Sequence, residues 1–191
     1  MGGQLYLAST SPRRRTLLRA AGLGFVEHPP GPEPAGTGSP AELAIERARH
    51  KALGAPTPAS PGWILGVDTV VAQGSREFGK PVDAAEAARM LGILRGDEHL
   101  VYTGHALVES HPESGCQPRI LTALAESRVR CRDFSEAELE SYLASDEWQG
   151  KAGGYGIQGL AGSFMSLQAG ALDTVIGLHI PAVRNLLGEV S

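Results

Sequence analysis

Hydrophobic and polar positions follow two different spacings along this chain. Apolar runs at 5–8, 63–72 and 100–108 and an alternating stretch at 121–132 predict strands. Helical spacing predicts helices that begin at Ser11-Pro12, at Ser39 (ending near Leu53), at Asp83, at Ser135, and at Pro181 (ending at Gly188). The helix after Asp83 has the clearest period, with Ala87, Met90, Leu91 and Leu94 on one face. Strands that alternate with helices predict an α/β fold.

The arrangement of the strands predicts a mixed sheet. The segments on either side of 110–115 can pair as a long antiparallel hairpin, so we expect a mixed, strongly twisted β-sheet flanked by helices. Segments rich in proline and glycine at 29–40, 54–62 and 110–118 predict loops within a single domain of residues 1–191. A chain of 191 residues can bury enough surface to fold without a metal or a disulfide.

Charge and cysteine content narrow the class of protein. A net charge of −4 argues against a protein that coats extended nucleic acid, but it allows a local basic pocket. Two distant cysteines form no zinc motif, and the first residues show no secretory signal, so we expect reduced thiols in the cytoplasm. The uncharged stretch 152–172 is long enough to span a membrane, but glycines and glutamines interrupt it, and we expect a buried loop and strand.

Three arginines, Arg13 to Arg15, occupy the first turn of the first predicted helix. The helix dipole makes this place unfavourable for cations unless an anion lies nearby. Free amides at a helix N-terminus, together with guanidinium groups and the hydroxyls of Ser9 and Ser11, are typical of a phosphate site. The alternative is a solvated basic turn.

Three further segments are candidates for chemistry. Asp68 lies inside an apolar run, so it is either a satisfied structural carboxylate or the acid-base and metal centre of a site. A glycine-rich segment that ends in Lys80 imitates a P-loop, but Pro81 lacks the hydroxyl and the N–H that the motif needs, so Lys80 is either a side-chain phosphate ligand or a surface residue. Glycines at 150–156 and the amide of Gln158 suit either a nucleobase site or a tight turn between strands.

Taken in order, these segments resemble the Maf family of nucleoside triphosphate pyrophosphatases over nearly the whole chain. The matching segments are Ser9-x-Ser11-Pro12-Arg13-Arg14, Ala48-Arg49-His50-Lys51-Ala52, Asp68-Thr69, Gly79-Lys80-Pro81, His99-x-Val101-Tyr102-Thr103-Gly104, and Lys151-Ala152-Gly153-Gly154-Tyr155-Gly156-Ile157-Gln158. The resemblance implies an α/β fold of the Maf and inosine triphosphatase kind with a deep nucleotide-binding cleft. It also implies metal-dependent hydrolysis of a nucleoside triphosphate to the monophosphate and pyrophosphate.

The resemblance also implies roles for individual residues. It implies that Asp68, Lys51 and Lys80 are catalytic and that Asp68 and Glu33 bind a divalent cation, Mg²⁺ or Mn²⁺. The implied substrate-binding residues are Ser9, Ser11, Arg13, Arg14, Thr69, Lys151 and Gln158. Two positions depart from the family pattern: Pro32 stands where an aspartate is frequent, and His179 replaces the proline of a Gly-Leu-Pro segment.

The form of the segment that ends in Gln158 resembles the branch that accepts dTTP and UTP, with Arg13, Thr69 and Gln158 at the matching specificity positions. The amide of Gln158 can pair with the edge that thymine and uracil share. We therefore expect a housekeeping hydrolase of nucleotide metabolism in the cytoplasm, with a single nucleoside triphosphate as its partner. We expect no extended nucleic acid and no membrane, and the family implies a homodimer. Two alternatives stay open: a nucleotide-binding regulator of cell division or septum formation, in which catalysis is incidental, and a purine pyrophosphatase of the inosine triphosphate type.

Overall fold

The structure is a computed structural model that describes residues 3–33, 36–111 and 116–190. Its strands are β1 (Gln4–Ala8), β2 (Val26–His28), β3 (Gly62–Gln73), β4 (Arg76–Phe78), β5 (Glu98–Glu109), β6 (Ile120–Cys131) and β7 (Met165–Ala169). Its helices are α1 (Pro12–Ala20), α2 (Pro40–Leu53), α3 (Ala84–Leu94), α4 (Glu136–Ala144), α5 (Leu172–Ile176) and α6 (Ile180–Gly188), with short 3₁₀ turns at Ala152–Gly154 and Leu160–Ser163. Parts of two predicted loops, 34–35 and 112–115, lie outside the described residues.

The helices begin where their capping residues predict. Ser39 and Ser135 each form a capping box with the glutamate three residues later, and the side chain of Asp83 accepts the N–H of Glu86. α3 buries the four residues predicted for its inner face, Ala87, Met90, Leu91 and Leu94. α1 differs, because the side chain of its N-cap residue, Ser11, makes no capping hydrogen bond.

Within the described residues, the strands form one mixed sheet in the order β2-β1-β3-β5-β6-β7, with β4 paired to β3. β1 is parallel to β2 and β3, whereas β3–β5, β5–β6 and β6–β7 are antiparallel pairs. Both the predicted long hairpin, β5–β6, and the predicted mixed α/β class are confirmed.

Two clusters of buried side chains form most of the core. The first joins the sheet to α1 and α6, with Leu65 and Leu107 against Leu18 and Leu186. The second joins the sheet to α3, α4 and the segment after α4. Its members include Val71, Leu91, Tyr142, Trp148 and Tyr155. The sheet therefore has helices on both faces, as in other α/β proteins.

α2 lies in direct backbone contact with β3 and β5. A Cβ atom at either Gly66 or Gly104 would overlap a carbonyl oxygen of α2, so only glycine fits at these two positions. Because side chains alternate along a strand, Asp68 faces α2 as Gly66 does. The close approach places Lys51, in the last turn of α2, against the Asp68 carboxylate.

The sequence pattern does not predict β2, β4 or α5. Each has five residues or fewer, too few for a hydrophobic period to be recognised. The stretch 152–172 contains the predicted loop and strand, but β7 buries only Met165, so the expectation that this strand is buried is wrong. None of the helices in the described ranges is long and apolar enough to span a membrane.

His179 fixes the start of α6 in a way that a proline could not. Its backbone N–H donates to Nε2 of His105, 3.0 Å away on β5. Its ring Nδ1 lies 2.9 Å from Oδ1 of Asp173, and Oδ2 of Asp173 accepts the N–H of Ile180 at 2.8 Å. The helix begins at Ile180, one residue before the predicted start.

We expect His179→Pro to have a free energy of unfolding about 1–3 kcal/mol lower than that of His179→Ala. Both variants lose the ring contact with Asp173, but only proline removes the N–H and leaves Nε2 of His105 buried without a donor. Urea unfolding followed by circular dichroism measures the difference. Equal stability of the two variants would contradict the prediction.

The buried histidines predict a loss of stability in mild acid. Burial lowers the pKa of His99 and of His105 to about 4, below the value of about 6.5 in an unfolded chain. Between these values the unfolded chain binds more protons than the folded one. The free energy of unfolding should therefore fall as the pH drops from about 6.5 towards 4.5, by up to about 3 kcal/mol for each histidine.

Urea titrations at several pH values measure this slope. His50→Gln serves as the control, because the side chain of His50 is exposed and makes no hydrogen bond to a described residue, so the slope should not change. A free energy of unfolding that stays constant over this range would contradict the prediction.

Candidate active site

A cavity of about 660 Å³ opens at the carboxyl end of β1. Every residue that the sequence places in a catalytic, substrate-binding or metal-binding role lines it: Ser9, Ser11, Arg13, Arg14, Glu33, Lys51, Asp68, Thr69, Lys80, Lys151 and Gln158. Its volume falls within the range of small-molecule sites. These residues are spread over most of the chain, so the fold brings them together.

The cavity lies where β1 ends and its parallel neighbour β3 continues. The two strands pair as far as Ala8 and Gly66, after which the chain leaves β1 and enters α1. Asp68 and Thr69 follow on β3, on an edge that β1 no longer covers. Ligands of open α/β sheets bind at such carboxyl ends of parallel strands.

Lys51 joins two carboxylates of the cavity. Its ammonium group donates to Oδ1 of Asp68 and lies 2.9 Å from Oε2 of Glu33. Lys51 is 8% exposed and Asp68 is 5% exposed. Each charge therefore compensates the other in a place where an unpaired charge would be strongly destabilising.

A second cation, Arg47, lies behind Glu33. Its guanidinium group binds the carboxylate of Glu77, and its Nε lies 3.9 Å from Oε1 of Glu33. Burial opposes the ionisation of Glu33, but the hydrogen bond from Lys51 and the surrounding cations outweigh it and hold the pKa of Glu33 below its usual value. Glu33 is therefore ionised at neutral pH. The sequence does not predict a role for Arg47, because nothing in its local pattern distinguishes it from a surface arginine.

Three hydrogen bonds fix the side chain of Arg14. Its Nε donates to the carbonyl oxygen of Gly177 at 2.8 Å. Its Nη1 and Nη2 donate to the hydroxyl oxygens of Ser9 and Thr69 at 3.2 and 3.3 Å. The Ser9 hydroxyl also accepts the N–H of Ser11 at 3.2 Å, so the start of α1 and the guanidinium group share one support.

A buried threonine orients Thr69. The hydroxyl of Thr103 donates to the carbonyl oxygen of Thr174 at 2.8 Å, and Oγ1 of Thr69 lies 3.1 Å from Oγ1 of Thr103. Since the Thr103 proton is already used, Thr69 donates to Thr103 and accepts from Arg14. In this arrangement Thr69 positions Arg14.

The cavity brings positive charges together, one of them on a buried side chain. Burial lowers the pKa of Arg14 to about 10, while the charge of Asp68 raises it and that of Arg13 lowers it. Burial also lowers the pKa of Arg13 and of Lys151. Arg14 stays protonated at neutral pH, and an anion that enters the cavity would relieve the repulsion among these cations.

The segment from Glu147 to Gly159 supplies a second group of lining residues. The Lys151 ammonium donates to the carbonyl oxygen of Glu147, and Nη2 of Arg13 lies 3.5 Å from the carbonyl oxygen of Gly150. Gln158 is exposed, and its amide makes no hydrogen bond to a described residue. Sequence analysis missed Glu147, whose one signal is its position four residues before Lys151.

Lys80 lines the cavity, but the glycine-rich segment before it forms no phosphate-binding loop. The glycine-rich segment before it forms the tight turn between β3 and β4, where Gly74 has a φ of 60°. Lys80 is exposed, and its charge contributes to the lowered pKa of Glu33. The segment is a hairpin turn, in agreement with the argument that Pro81 rules out a P-loop.

The carboxylate oxygens of Asp68 and Glu33 are of the kind that binds a divalent cation. Asp68 and Glu33 each use one oxygen for Lys51. Oδ2 of Asp68 makes no hydrogen bond to a described residue, and Oε1 of Glu33 lies 3.9 Å from Nε of Arg47. Across 3–33, 36–111 and 116–190, no group of three or more His, Cys, Asp or Glu side chains could hold a metal. Mg²⁺ commonly uses one or two carboxylates together with substrate phosphates, which agrees with a pair of carboxylates in a cavity that five cationic side chains also line.

Known proteins resemble this chain over most of its length. The dTTP/UTP pyrophosphatase of Gloeobacter violaceus is 40% identical over 188 residues, which cover 97% of this chain and 95% of that protein. The dTTP/UTP pyrophosphatase of Maricaulis maris is 39% identical over 191 residues, which cover 96% of this chain and 86% of that protein. The dTTP/UTP pyrophosphatase of Hyphomonas neptunium is 40% identical over 188 residues, which cover 96% of this chain and 93% of that protein.

The likeness to solved structures is weaker. A nucleoside-triphosphatase, or dITP/XTP pyrophosphatase, from Mycobacterium abscessus has 17% identity and a TM-score of 0.36, with 66% of this chain and 74% of that chain covered.

The family model described as Maf-like protein matches residues 4–190. This match and the relatives confirm the resemblance seen in the sequence motifs, and the chain belongs to the Maf-like protein family.

Proposed function

We propose that this chain hydrolyses dTTP and UTP to the nucleoside monophosphate and pyrophosphate. The proposal rests on one cavity that holds a buried carboxylate, Asp68, fixed cations suited to a triphosphate, and the amide of Gln158, suited to a pyrimidine. Relatives named dTTP/UTP pyrophosphatase at about 40% identity support these substrates.

The charge of the cavity is opposite in sign to that of the chain. Five cationic side chains and three carboxylates line the cavity, whereas the whole chain has a net charge of −4. Three of the five N–H groups of Arg14 bond within the protein, which leaves one on Nη1 and one on Nη2 to donate to phosphate oxygens. A single nucleotide therefore fits, whereas an extended nucleic acid would need a broad basic surface.

Hydrolysis at the α-phosphorus needs a group that takes a proton from the attacking water. Asp68 is placed for this role, because Lys51 holds Oδ1 and leaves Oδ2 available. As the water oxygen bonds to the α-phosphorus, the bond to the bridging oxygen breaks and pyrophosphate leaves with the electron pair. Lys51 and Lys80 stabilise the negative charge that develops on the phosphate oxygens.

We propose that Asp68 and Glu33 also hold Mg²⁺ or Mn²⁺ together with the substrate phosphates. When bound, the cation supplies a Lewis acid that neutralises phosphate charge. Lys51 bonds to both carboxylates and so holds them together in one part of the cavity.

Several finer expectations stay predictions. Cys131 is buried, Cys116 is exposed and both are free thiols, which agrees with action in the reducing cytoplasm. A homodimer and a housekeeping role rest on the family resemblance alone. The experiments below separate the pyrophosphatase from a regulator of cell division and from a purine enzyme.

We expect Asp68→Asn to reduce pyrophosphate release from dTTP at least about 100-fold, because it removes the proposed proton acceptor and one metal ligand. Nucleotide binding, measured by calorimetry, should persist, because Arg13, Arg14 and Lys80 are unchanged. Asp133→Asn is the matched control, since Asp133 is exposed and lies outside the cavity, and it should retain parental activity.

Hydrolysis of dTTP by Asp68→Asn at the parental rate would rule out the proposed mechanism. Overproduction in cells tests the regulatory alternative. Division defects of equal strength for the parent and for Asp68→Asn would favour a regulator in which catalysis is incidental.

A panel of nucleoside triphosphates tests the substrate class. With Mg²⁺ or Mn²⁺ present, we expect dTTP and UTP to give higher kcat/KM than ITP, XTP and GTP, and we expect a chelator to abolish pyrophosphate release. This expectation rests on the relatives named dTTP/UTP pyrophosphatase, because the Gln158 amide can pair with the N1–H and O6 edge of a purine as well as with the N3–H and O4 edge of uracil. A preference for ITP or GTP would favour the purine alternative.

A further inference from the structure

Gln158 alone cannot distinguish uracil from cytosine. Uracil and thymine present an N3–H donor beside an O4 acceptor, whereas cytosine presents an N3 acceptor beside an amino donor. An amide that turns over can pair with either edge, and no described residue holds the Gln158 amide in one orientation. Selectivity for uracil and thymine therefore needs a second group of fixed character, either a donor-only group that faces O4 or an acceptor-only group that faces N3–H.

The cavity contains three carboxylates, which are groups of this acceptor-only kind. Two of them, Asp68 and Glu33, are bonded to Lys51. The third, Glu147, belongs to the segment that also contains Lys151 and Gln158. Glu147 is therefore the carboxylate in the same segment as Gln158, the residue proposed to bind the base.

Contacts on both sides hold Glu147 against the Gln158 loop. Oε2 of Glu147 accepts the N–H of Leu160 at 2.9 Å. A Cβ atom at Gly159, the residue between Gln158 and Leu160, would overlap the same oxygen, so the loop can approach only with glycine there. The carbonyl oxygen of Glu147 accepts a hydrogen bond from Lys151, which fixes the backbone on which the carboxylate stands.

The other carboxylate oxygen has no partner among the described residues. Oε1 makes no hydrogen bond to any of them, although Glu147 is only partly exposed and lines the cavity. A half-buried acceptor without a donor is suited to a ligand that brings one, because the pair replaces the hydrogen bonds that the carboxylate would make to water.

We infer that Glu147 is a specificity-determining residue that accepts the N3–H of uracil or thymine beside Gln158, an inference that rests on the proposed function. With cytosine in the same place, the N3 lone pair would face the carboxylate, and the two acceptors would repel each other. Oε2 stays bonded to Leu160, so Oε1 is the oxygen that meets the base.

The ratio of kcat/KM for UTP to that for CTP tests this inference. In Glu147→Gln the new side chain has the same shape and keeps an oxygen for the N–H of Leu160. Its amide NH2 group, a hydrogen-bond donor, takes the place of Oε1. We expect the UTP:CTP ratio to fall at least about 10-fold, through weaker UTP hydrolysis and stronger CTP hydrolysis. Pyrophosphate release from UTP, dTTP and CTP gives the three values.

Two further variants interpret the result. Glu140→Gln changes an exposed glutamate on α4, outside the cavity, and should leave the ratio unchanged. Glu147→Ala also removes the acceptor, so its ratio should fall too, with lower activity on all three nucleotides because the loop loses its bond at Leu160. Circular dichroism checks that each variant is folded.

An unchanged UTP:CTP ratio in Glu147→Gln and Glu147→Ala, with slower hydrolysis of every nucleotide, would show that Glu147 only supports the loop and would overturn the inference. The proposed function would survive that result. A parental protein that releases no pyrophosphate from UTP or dTTP would instead overturn the proposed function, and the inference with it.

Discussion

The contact between α2 and the sheet determines where the candidate chemistry lies. α2 can pack onto β3 and β5 only because Gly66 and Gly104 leave room for its carbonyl oxygens. The contact brings Lys51 to Asp68 inside the protein, where both are almost fully buried. Packing and charge thus depend on each other: a larger residue at Gly66 would move the helix outward, and a buried Asp68 without Lys51 would be strongly destabilising.

The positions of other side chains of the site depend on the contact between α2 and the sheet. Glu33 bonds to Lys51, and Arg47, which lies on α2 like Lys51, links Glu33 to Glu77 on β4. The strand that carries Asp68 also carries Thr69, which supports Arg14 at the start of α1. A single helix-to-sheet contact therefore sets the positions of the carboxylates and, through the next residue of β3, of the Arg14 guanidinium group.

The sequence predicts the regular part of the fold and the members of the site, but not their connections. Capping residues and a full hydrophobic period identify α3, whereas β4 is too short to show a period. The predicted site residues, from Ser9 to Gln158, do line one cavity. The supports of the site were not predictable, because they act through backbone atoms or over long separations: Arg14 binds the carbonyl oxygen of Gly177, 163 residues away.

The two groups of lining residues differ in what holds them in place. Asp68 and Lys51 belong to a central strand and a packed helix, so a change there disturbs the fold as well as the chemistry. Gln158 lies in an irregular segment held by a few local bonds, among them Leu160 to Glu147. Substitutions in that segment can therefore change the surroundings of Gln158 while the α2–β3 contact stays intact. The fold thus separates the residues proposed for hydrolysis from those proposed to select the base.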